Sequence, residues 1–300
     1  MNLFRLSTNG QPPRLGALDG DRIVDLQASV GATLTRKGVV RAQAIAAVLV
    51  PLSTREFLEG GAATQEAVSG ITEPVTLARS AARLHAPIAD PGKFICIGLN
   101  YRDHAEEAGQ PIPKEPPIFP KWGNAILDPG EPILRPRGSK QLDWEVELGV
   151  LIGRTARHVS REQALDYVWG YTIINDVSAR DFQFITSQWA AGKIGDTMAP
   201  VGPYIADRHE IKDPHVLDLK LWVNGAQMQH GNTRTFIFDV RYLVSYLSGL
   251  MTLRPGDLIA TGTPPGVGFA RKPPVFLQPG DVCRLEITGL GTLENTVKDG

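Results

Sequence analysis

The chain has 300 residues, 42% of them hydrophobic, with 31 basic and 32 acidic side chains and a formal net charge of −1. That is enough chain for a large core and for two domains, and the balanced charge argues against nucleic acid, a membrane surface or a strongly charged partner. Two cysteines, Cys96 and Cys283, make no disulfide framework, so a reducing cytoplasm is expected.

The opening stretch MNLFRLSTNG lacks the apolar centre of a signal peptide. Residues 1–85 read as a small N-terminal α+β domain, mainly β. RLGAL, DGDRIVDL and PVTLA have the look of short strands with Gly or Asp-Gly turns, and RAQAIAAVLV that of a helix. The longest apolar run, AQAIAAVLVPL, is too short to span a bilayer. No cluster of His, Asp or Glu marks this part as a site. A Pro-rich connector, HAPIADPGK, leads into a second domain, residues 93–300. There QLDWEVELGVLIG, GYTIIND, GDLIATG, VCRLEI and TLENTV read as strands. SREQALDYVW, with a Ser160–Gln163 capping box, and FDVRYLVSYLSGL read as helices. The mix predicts an α+β fold with a large antiparallel or mixed sheet that curls into a roll or barrel.

The stretch DWEVEL, residues 143–148, alternates acidic and apolar side chains. On a strand, Asp143, Glu145 and Glu147 would share one face, with Cα atoms roughly 6.8 Å apart. A surface strand shows the same alternation. The run that follows, GVLIG, is apolar on both faces, which predicts a covered strand whose acids need a partner. A hard divalent cation would serve, since such ions take oxygen ligands. GYTIINDVSARDFQ ends a strand at Asp176, which could meet the face of Glu145 and Glu147 or cap the next segment.

In NYRDHAEEAG, His104 and Glu107 would be neighbours on a helical turn. A His held by a Glu is a candidate general base for water; the alternative is a surface ion pair. Lys193 stands among small residues in AAGKIGDTMAPVGP; beside a metal it would balance an enolate, elsewhere it would be solvated. TGTPPGVG, residues 261–268, fits neither nucleotide-binding glycine motif, but its hydroxyls and amides could hold a substrate carboxylate. HExxH, CxxC and GxSxG motifs do not occur. Cys96, in KFICIG, reads as a packing residue, and His85, His158, His209, His215 and His230 as structural or surface groups.

Taken together, NYRDHAEE, DWEVELGVLIG, GYTIINDVSARDFQ, KIGDTMAPVGP and LRPGDLIATGTPPGVG resemble, in this order and spacing, the fumarylacetoacetate hydrolase family. The resemblance runs from about Lys93 to the C-terminus. It implies a mixed β-sandwich roll, a homodimer, and one Mg²⁺ or Mn²⁺ per subunit held by Glu145, Glu147 and Asp176. It implies that His104 and Glu107 form a water-activating dyad on a mobile lid and that Lys193 stands beside the metal. Arg180 and Gln183 match positions that orient ligand or site carboxylates. Thr263 and Lys121 match substrate-side positions, Lys121 as a carboxylate binder. Asp143 is left unassigned, with support of the ligands as a candidate role.

The implied activity is metal-dependent hydrolysis of a carbon–carbon bond in a β-diketo acid of acylpyruvate type, a small keto-acid substrate. The same enolate chemistry would serve oxaloacetate decarboxylation or keto–enol isomerisation, and a 2,4-diketo-3-deoxy sugar acid is an alternative substrate. A metal-stabilised scaffold would be expected to have lost these residues. One departure stands out: many members read KSFDT where this chain has KIGDT, so Gly195 replaces a large aromatic and is expected to widen or loosen the pocket.

Overall fold

The spine of the computed structural model, which describes residues 1–8 and 10–300, is the strand Val146–Ile152. It is buried along its whole length. Side chains alternate faces along a strand, and here both faces are covered. Val146, Leu148 and Val150 join one core cluster with Leu219, Leu221, Leu285 and Leu293. Leu151 joins another with Leu26, Val30 and Phe57. The strand pairs antiparallel with Val168–Asn175 on one side and Leu258–Ala260 on the other. These lie inside a twelve-stranded sheet that runs on through Phe94–Ile97 to an edge strand, Ile118–Lys121. A five-stranded sheet, in which Asp218–Val223 lies between Ala226–Asn232 and Val282–Ile287, supplies the second layer. The fold is therefore α+β, a mixed sheet sandwich.

The N-terminal strands join the same large sheet. Asn2–Ser7 pairs antiparallel with Ala199–Asp207, placing Leu3 opposite Ile205. Arg14–Asp19, Arg22–Asp25 and Thr76–Ala78 extend the sheet outward. Ser7 Oγ meets His85 Nε2 at 2.8 Å, and His85 Nδ1 meets the half-buried Asp128 Oδ2 at 2.6 Å, so a polar chain ties these elements together. Four helices pack alongside: Leu26–Arg36, Ala42–Leu49, Thr54–Glu59 and Gly61–Ser69. Only the second follows from the reading of RAQAIAAVLV. The first starts at Asp25, whose side chain caps it by accepting from Ala28 N at 3.1 Å. Asp25 is thus both the last residue of a strand and a helix start signal.

The helix expected over SREQALDYVW is not formed; turns lead into a single 3₁₀ turn, Ala164–Tyr167. Val168 already pairs with Ile152 in the central ladder. The ladder takes Val168 and Trp169 into the strand Val168–Asn175, so the expected helix loses its last turn to the sheet. FDVRYLVSYLSGL does form the helix Val240–Leu250, with Val240, Leu243, Val244 and Leu247 as its buried stripe. Asp239 caps it, accepting from Tyr242 N at 2.7 Å. Among the described residues no helix is long and apolar enough to cross a membrane. Cys96 and Cys283 are both free and buried.

Candidate active site

The end of the central ladder gathers the acids. Val146 pairs with Asn175, so Glu145 and Glu147 on one chain segment lie against Asp176 on the other. Asp176 N donates to the Glu145 carbonyl at 2.9 Å, and Asn175 Oδ1 accepts from Glu145 N at 3.1 Å. Ligand oxygens of Glu145, Glu147 and Asp176 all lie within 4.8 Å of one another, and all three residues are buried. Like charges in a dry cluster raise one another's pKa unless cations answer them. Lys193 Nζ donates to Glu145 Oε2 at 2.8 Å and to Asp176 Oδ2 at 2.9 Å. Arg180 Nη2 donates to Glu145 Oε1 at 2.7 Å. Burial pushes Glu145 up, but Lys193 and Arg180 more than reverse this and hold its carboxyl at about 2. Among the described residues Glu147 has no ion-pair partner. Burial, then repulsion from Asp176 and Glu145, holds its carboxyl well above the ordinary range. Burial would lower Lys193, but Asp176 and Glu145 outweigh it and leave the ammonium above its ordinary value.

These residues suit a divalent cation. Asp176 Oδ1 is buried and accepts no hydrogen bond. Lys121 Nζ lies 2.9 Å away. Yet that ammonium donates to the carbonyls of Val177, Lys193 and Met198 at 3.0, 2.6 and 2.7 Å. An ammonium has three protons, so the Lys121–Asp176 contact is an ion pair without a hydrogen bond. A buried oxygen with unused lone pairs, beside two further carboxylates, matches the needs of Mg²⁺ or Mn²⁺. The alternative role for Asp176 fails, because the short helix Arg180–Gln183 has Ala179 at its cap and no side-chain cap bond. Lys121 is also corrected: with every proton engaged below the site, it has none for a substrate carboxylate.

The expected unbroken strand through DWEVEL is interrupted. Leu142–Asp143 pairs instead with Ser178–Ala179, and the main strand begins only at Val146. Asp143 therefore leaves the metal-side cluster and holds Arg180, whose Nε reaches Asp143 Oδ2 at 2.9 Å. Arg180 Nη1 donates to Gln183 Oε1 at 2.9 Å, and its guanidinium lies 4.5 Å from the centre of the Phe269 ring.

Above the acids is a cavity of about 260 Å³, into which Glu145, Glu147, Arg180, Gln183 and Lys193 all open. His104 also lines it, from the helix Arg102–Glu107. His104 Nδ1 is 3.4 Å from Glu107 Oε2, at the outer limit of a hydrogen bond.

The glycine-rich loop serves the protein's own acids. Gly262 N donates to Glu147 at 2.8 Å, and Gly266 N to both Glu107 oxygens at 3.0 Å. Gly268 N and Phe269 N donate to Asp143 at 2.7 and 3.0 Å. Gly266 has φ +105°, and an added Cβ would collide with the Met228 carbonyl, so the turn requires glycine. Thr263 lines the cavity, but its hydroxyl donates to the Val146 carbonyl at 3.0 Å and accepts from Gln229 Nε2 at 2.8 Å. The expected amide cradle for a substrate carboxylate is therefore already occupied. Sequence reasoning pointed to the amides of TGTPPGVG but gave them a substrate carboxylate in place of Glu147, Glu107 and Asp143; it missed the roles of Asn175 and Gln229.

A family profile described as fumarylacetoacetate (FAA) hydrolase C-terminal matches residues 93–298. The chain belongs to the fumarylacetoacetate hydrolase family. A Burkholderia lata protein with only a provisional hydrolase name is 47% identical over 298 residues, 97% of this chain and 96% of that one. The structure of 2-hydroxyhepta-2,4-diene-1,7-dioate isomerase from Mycobacterium marinum is 33% identical, with a TM-score of 0.75, over 100% of this chain and 98% of its own. That of maleylpyruvate hydrolase from Sphingobium sp. SYK-6, in complex with manganese(II) and pyruvate, is 32% identical, with a TM-score of 0.74, over 100% of both. This fumarylacetoacetate hydrolase fold thus serves proteins named for two reactions, and fold alone does not choose between them.

The chain's departure from the usual family pattern at Gly195 has a different effect from the one expected. Gly195 is not among the cavity's lining residues. A Cβ placed there would meet Met198 Sδ at 2.5 Å, so Met198 fills the room and the cavity is not widened at this point.

Proposed function

We propose that this chain is a Mg²⁺- or Mn²⁺-dependent hydrolase that cleaves a carbon–carbon bond in a β-diketo acid of acylpyruvate type, working as a cytoplasmic homodimer. The observation that carries this reading is the buried trio of Glu145, Glu147 and Asp176, tied to Lys193, beneath the cavity that His104 lines. Similarity to the manganese- and pyruvate-bound Sphingobium hydrolase supports it. A divalent cation held by the three acids would supply Lewis-acid stabilisation of negative charge on the oxygens of a 2-oxo acid.

The side chains account for the rest. Gly266 N holds Glu107, and Glu107 faces His104 Nδ1. That leaves Nε2 to take a proton from water. The resulting hydroxide attacks the distal carbonyl carbon. The bond from that carbon to the central methylene breaks, and its electron pair leaves as the pyruvate enolate. A proton returns to the methylene carbon, giving pyruvate and a carboxylic acid. Lys193 and Arg180 place fixed positive charge beside the developing anion.

The test follows the ultraviolet enol band of an acylpyruvate with EDTA-stripped protein, before and after Mg²⁺ is added. Loss of the band with release of pyruvate, only when the cation is present, is expected. Undiminished turnover by Glu145→Ala or Asp176→Ala would overturn the metal assignment. Exposed Ile118 and Trp122, at the edge strand of the large sheet, offer apolar surface for a second copy to cover. Light scattering that reads a monomer at micromolar concentration would overturn the dimer. The two free buried thiols suit a reducing cytoplasm.

The likeness to the Mycobacterium marinum isomerase favours keto–enol isomerisation as a second reading. That reaction, like decarboxylation of oxaloacetate, adds no water. Loss of hydrolysis in His104→Ala, with isomerisation or decarboxylation retained, would separate the two.

A further inference from the structure

Charge in the cavity is confined to its floor. Arg180 and Lys193 are the only cations that line it among the described residues, and both already bind acids there. The remaining wall is mostly Leu99, Ala108, Phe119, Phe184, Trp189 and Phe269. Two edge-on aromatic pairs frame it, Phe119–Trp189 at 5.8 Å and Phe184–Phe269 at 5.9 Å between ring centres. Of the polar groups outside the acid cluster, Thr263 is engaged by Val146 and Gln229, and His104 faces Glu107. Gln110 and Gln183 can hydrogen-bond but carry no charge to offset an anion.

A ligand in this cavity would meet two environments. Its 2-oxo acid head would lie at the charged floor. Its far end would lie against rings, where a carboxylate would give up its water with no cation in return. Several hydroxyls would have only Gln110 and Gln183 to share, and the rest would be left unpartnered against the rings. The volume, about 260 Å³, is about nine times the ~30 Å³ share of a liquid water molecule. That accommodates a pyruvoyl head and a short chain.

We infer that the site takes a 2,4-dioxo acid whose distal acyl group is short, uncharged and apolar, rather than a dicarboxylic or polyhydroxylated one. The inference rests on the hydrolase reading for the head group alone. It makes the aromatic wall the element that selects the acyl end.

Two arms keep the inference separable from the reaction. In the first, protein in excess Mg²⁺ is titrated calorimetrically with 2-oxohexanoate and with 2-oxoadipate, six-carbon acids that differ at the far end and contain no cleavable β-diketone. The mono-acid should bind about tenfold tighter or better, the scale expected for stranding a charge. Equal or tighter binding of the diacid overturns the inference, as does binding of neither. In the second, kcat/KM is compared for butanoylpyruvate and succinylpyruvate, with the same preference expected. No turnover of either, with the binding preference kept, would end the hydrolase reading and leave the pocket inference standing. Phe184→Arg puts a cation in a wall position that is 57% exposed and so tolerant of change. It should shift the binding ratio toward 2-oxoadipate by about tenfold; an unchanged ratio would mean that the far end does not lie against this wall and would overturn the inference.

Discussion

Replacing Lys193 by methionine removes the cation between Glu145 and Asp176 while keeping a side chain of similar length. Lys193 is 1% exposed and donates to Glu145 and Asp176 at 2.8 and 2.9 Å. Deleting one partner of a buried ion pair costs about 3–5 kcal/mol, because the other charge is left stranded. Here the acids keep some support: Arg180 still reaches Glu145 at 2.7 Å, and Lys121 stays 2.9 Å from Asp176. The low end, about 3 kcal/mol, is therefore expected. At roughly 2 °C per kcal/mol for a chain of this size, the metal-free variant should melt about 6 °C below the parent. Added Mn²⁺ should reverse much of that loss, since a bound cation stabilises the native state and no ammonium now competes for Glu145 and Asp176. The Mn²⁺-induced rise should accordingly be larger in the variant than in the parent. Circular dichroism melts in EDTA and in excess Mn²⁺ read both quantities without reference to catalysis. A metal-free melt within about a degree of the parent, or a Mn²⁺ shift no larger than the parent's, would refute Lys193 as the counter-charge of a cation site.

Burial and its acidic neighbours hold the Glu147 carboxyl above its ordinary value. A cation favours the ionised carboxylate, so Mg²⁺ binding should release protons and tighten as pH rises; calorimetry in buffers of different ionisation heat should detect it, and zero release across the pH range would count against Glu147 as a ligand. Glu145 titrates the other way: its depressed carboxyl adds stability above its ordinary value of 4.5 that is lost as pH falls through about 2. In Lys193→Met the acid limb of the stability curve should move to higher pH, which pH-dependent melts would show or deny. His104→Ala should lower kcat by about 10²–10⁴ and leave the Mn²⁺ melting shift intact; loss of that shift would show His104 to be structural. Asp143→Asn should cost about 10–100-fold in activity through Arg180 and the Gly268 and Phe269 amides, although Asp143 lies outside the metal-side cluster. Parent-like kcat/KM in that variant would remove Asp143 from the site.

The large elements were legible where one physical signal dominated. GVLIG is apolar on both faces and became a strand covered on both sides. FDVRYLVSYLSGL has a single apolar stripe and became a helix. SREQALDYVW failed because its capping box competed with a ladder already claiming Val168 and Trp169. The helix Leu26–Arg36 went unseen because Asp25 reads equally well as the end of a strand and as a cap. Local patterns state what a segment can do; the long-range ladder decides which option is taken.

At the site, residue types were visible and their partners were not. Lys121 and Lys193 are both buried lysines beside Asp176, and either could be written as a substrate cation from sequence. Counting protons separates them. Lys121 gives all three to carbonyls, whereas Lys193 makes two hydrogen bonds, both to acids, and opens into the cavity. The same accounting changes the meaning of TGTPPGVG, whose amides hold Glu147, Glu107 and Asp143 and so have no substrate carboxylate to hold. Asp176 Oδ1 is the converse case, an acid oxygen that accepts no hydrogen bond. Glu147 accepts one from Gly262 and has no ion-pair partner among the described residues. What marks this place as a site is therefore an imbalance. Lys193, Arg180 and the loop amides answer much of the acid cluster but leave acid lone pairs over, and a divalent cation is the species that would use them.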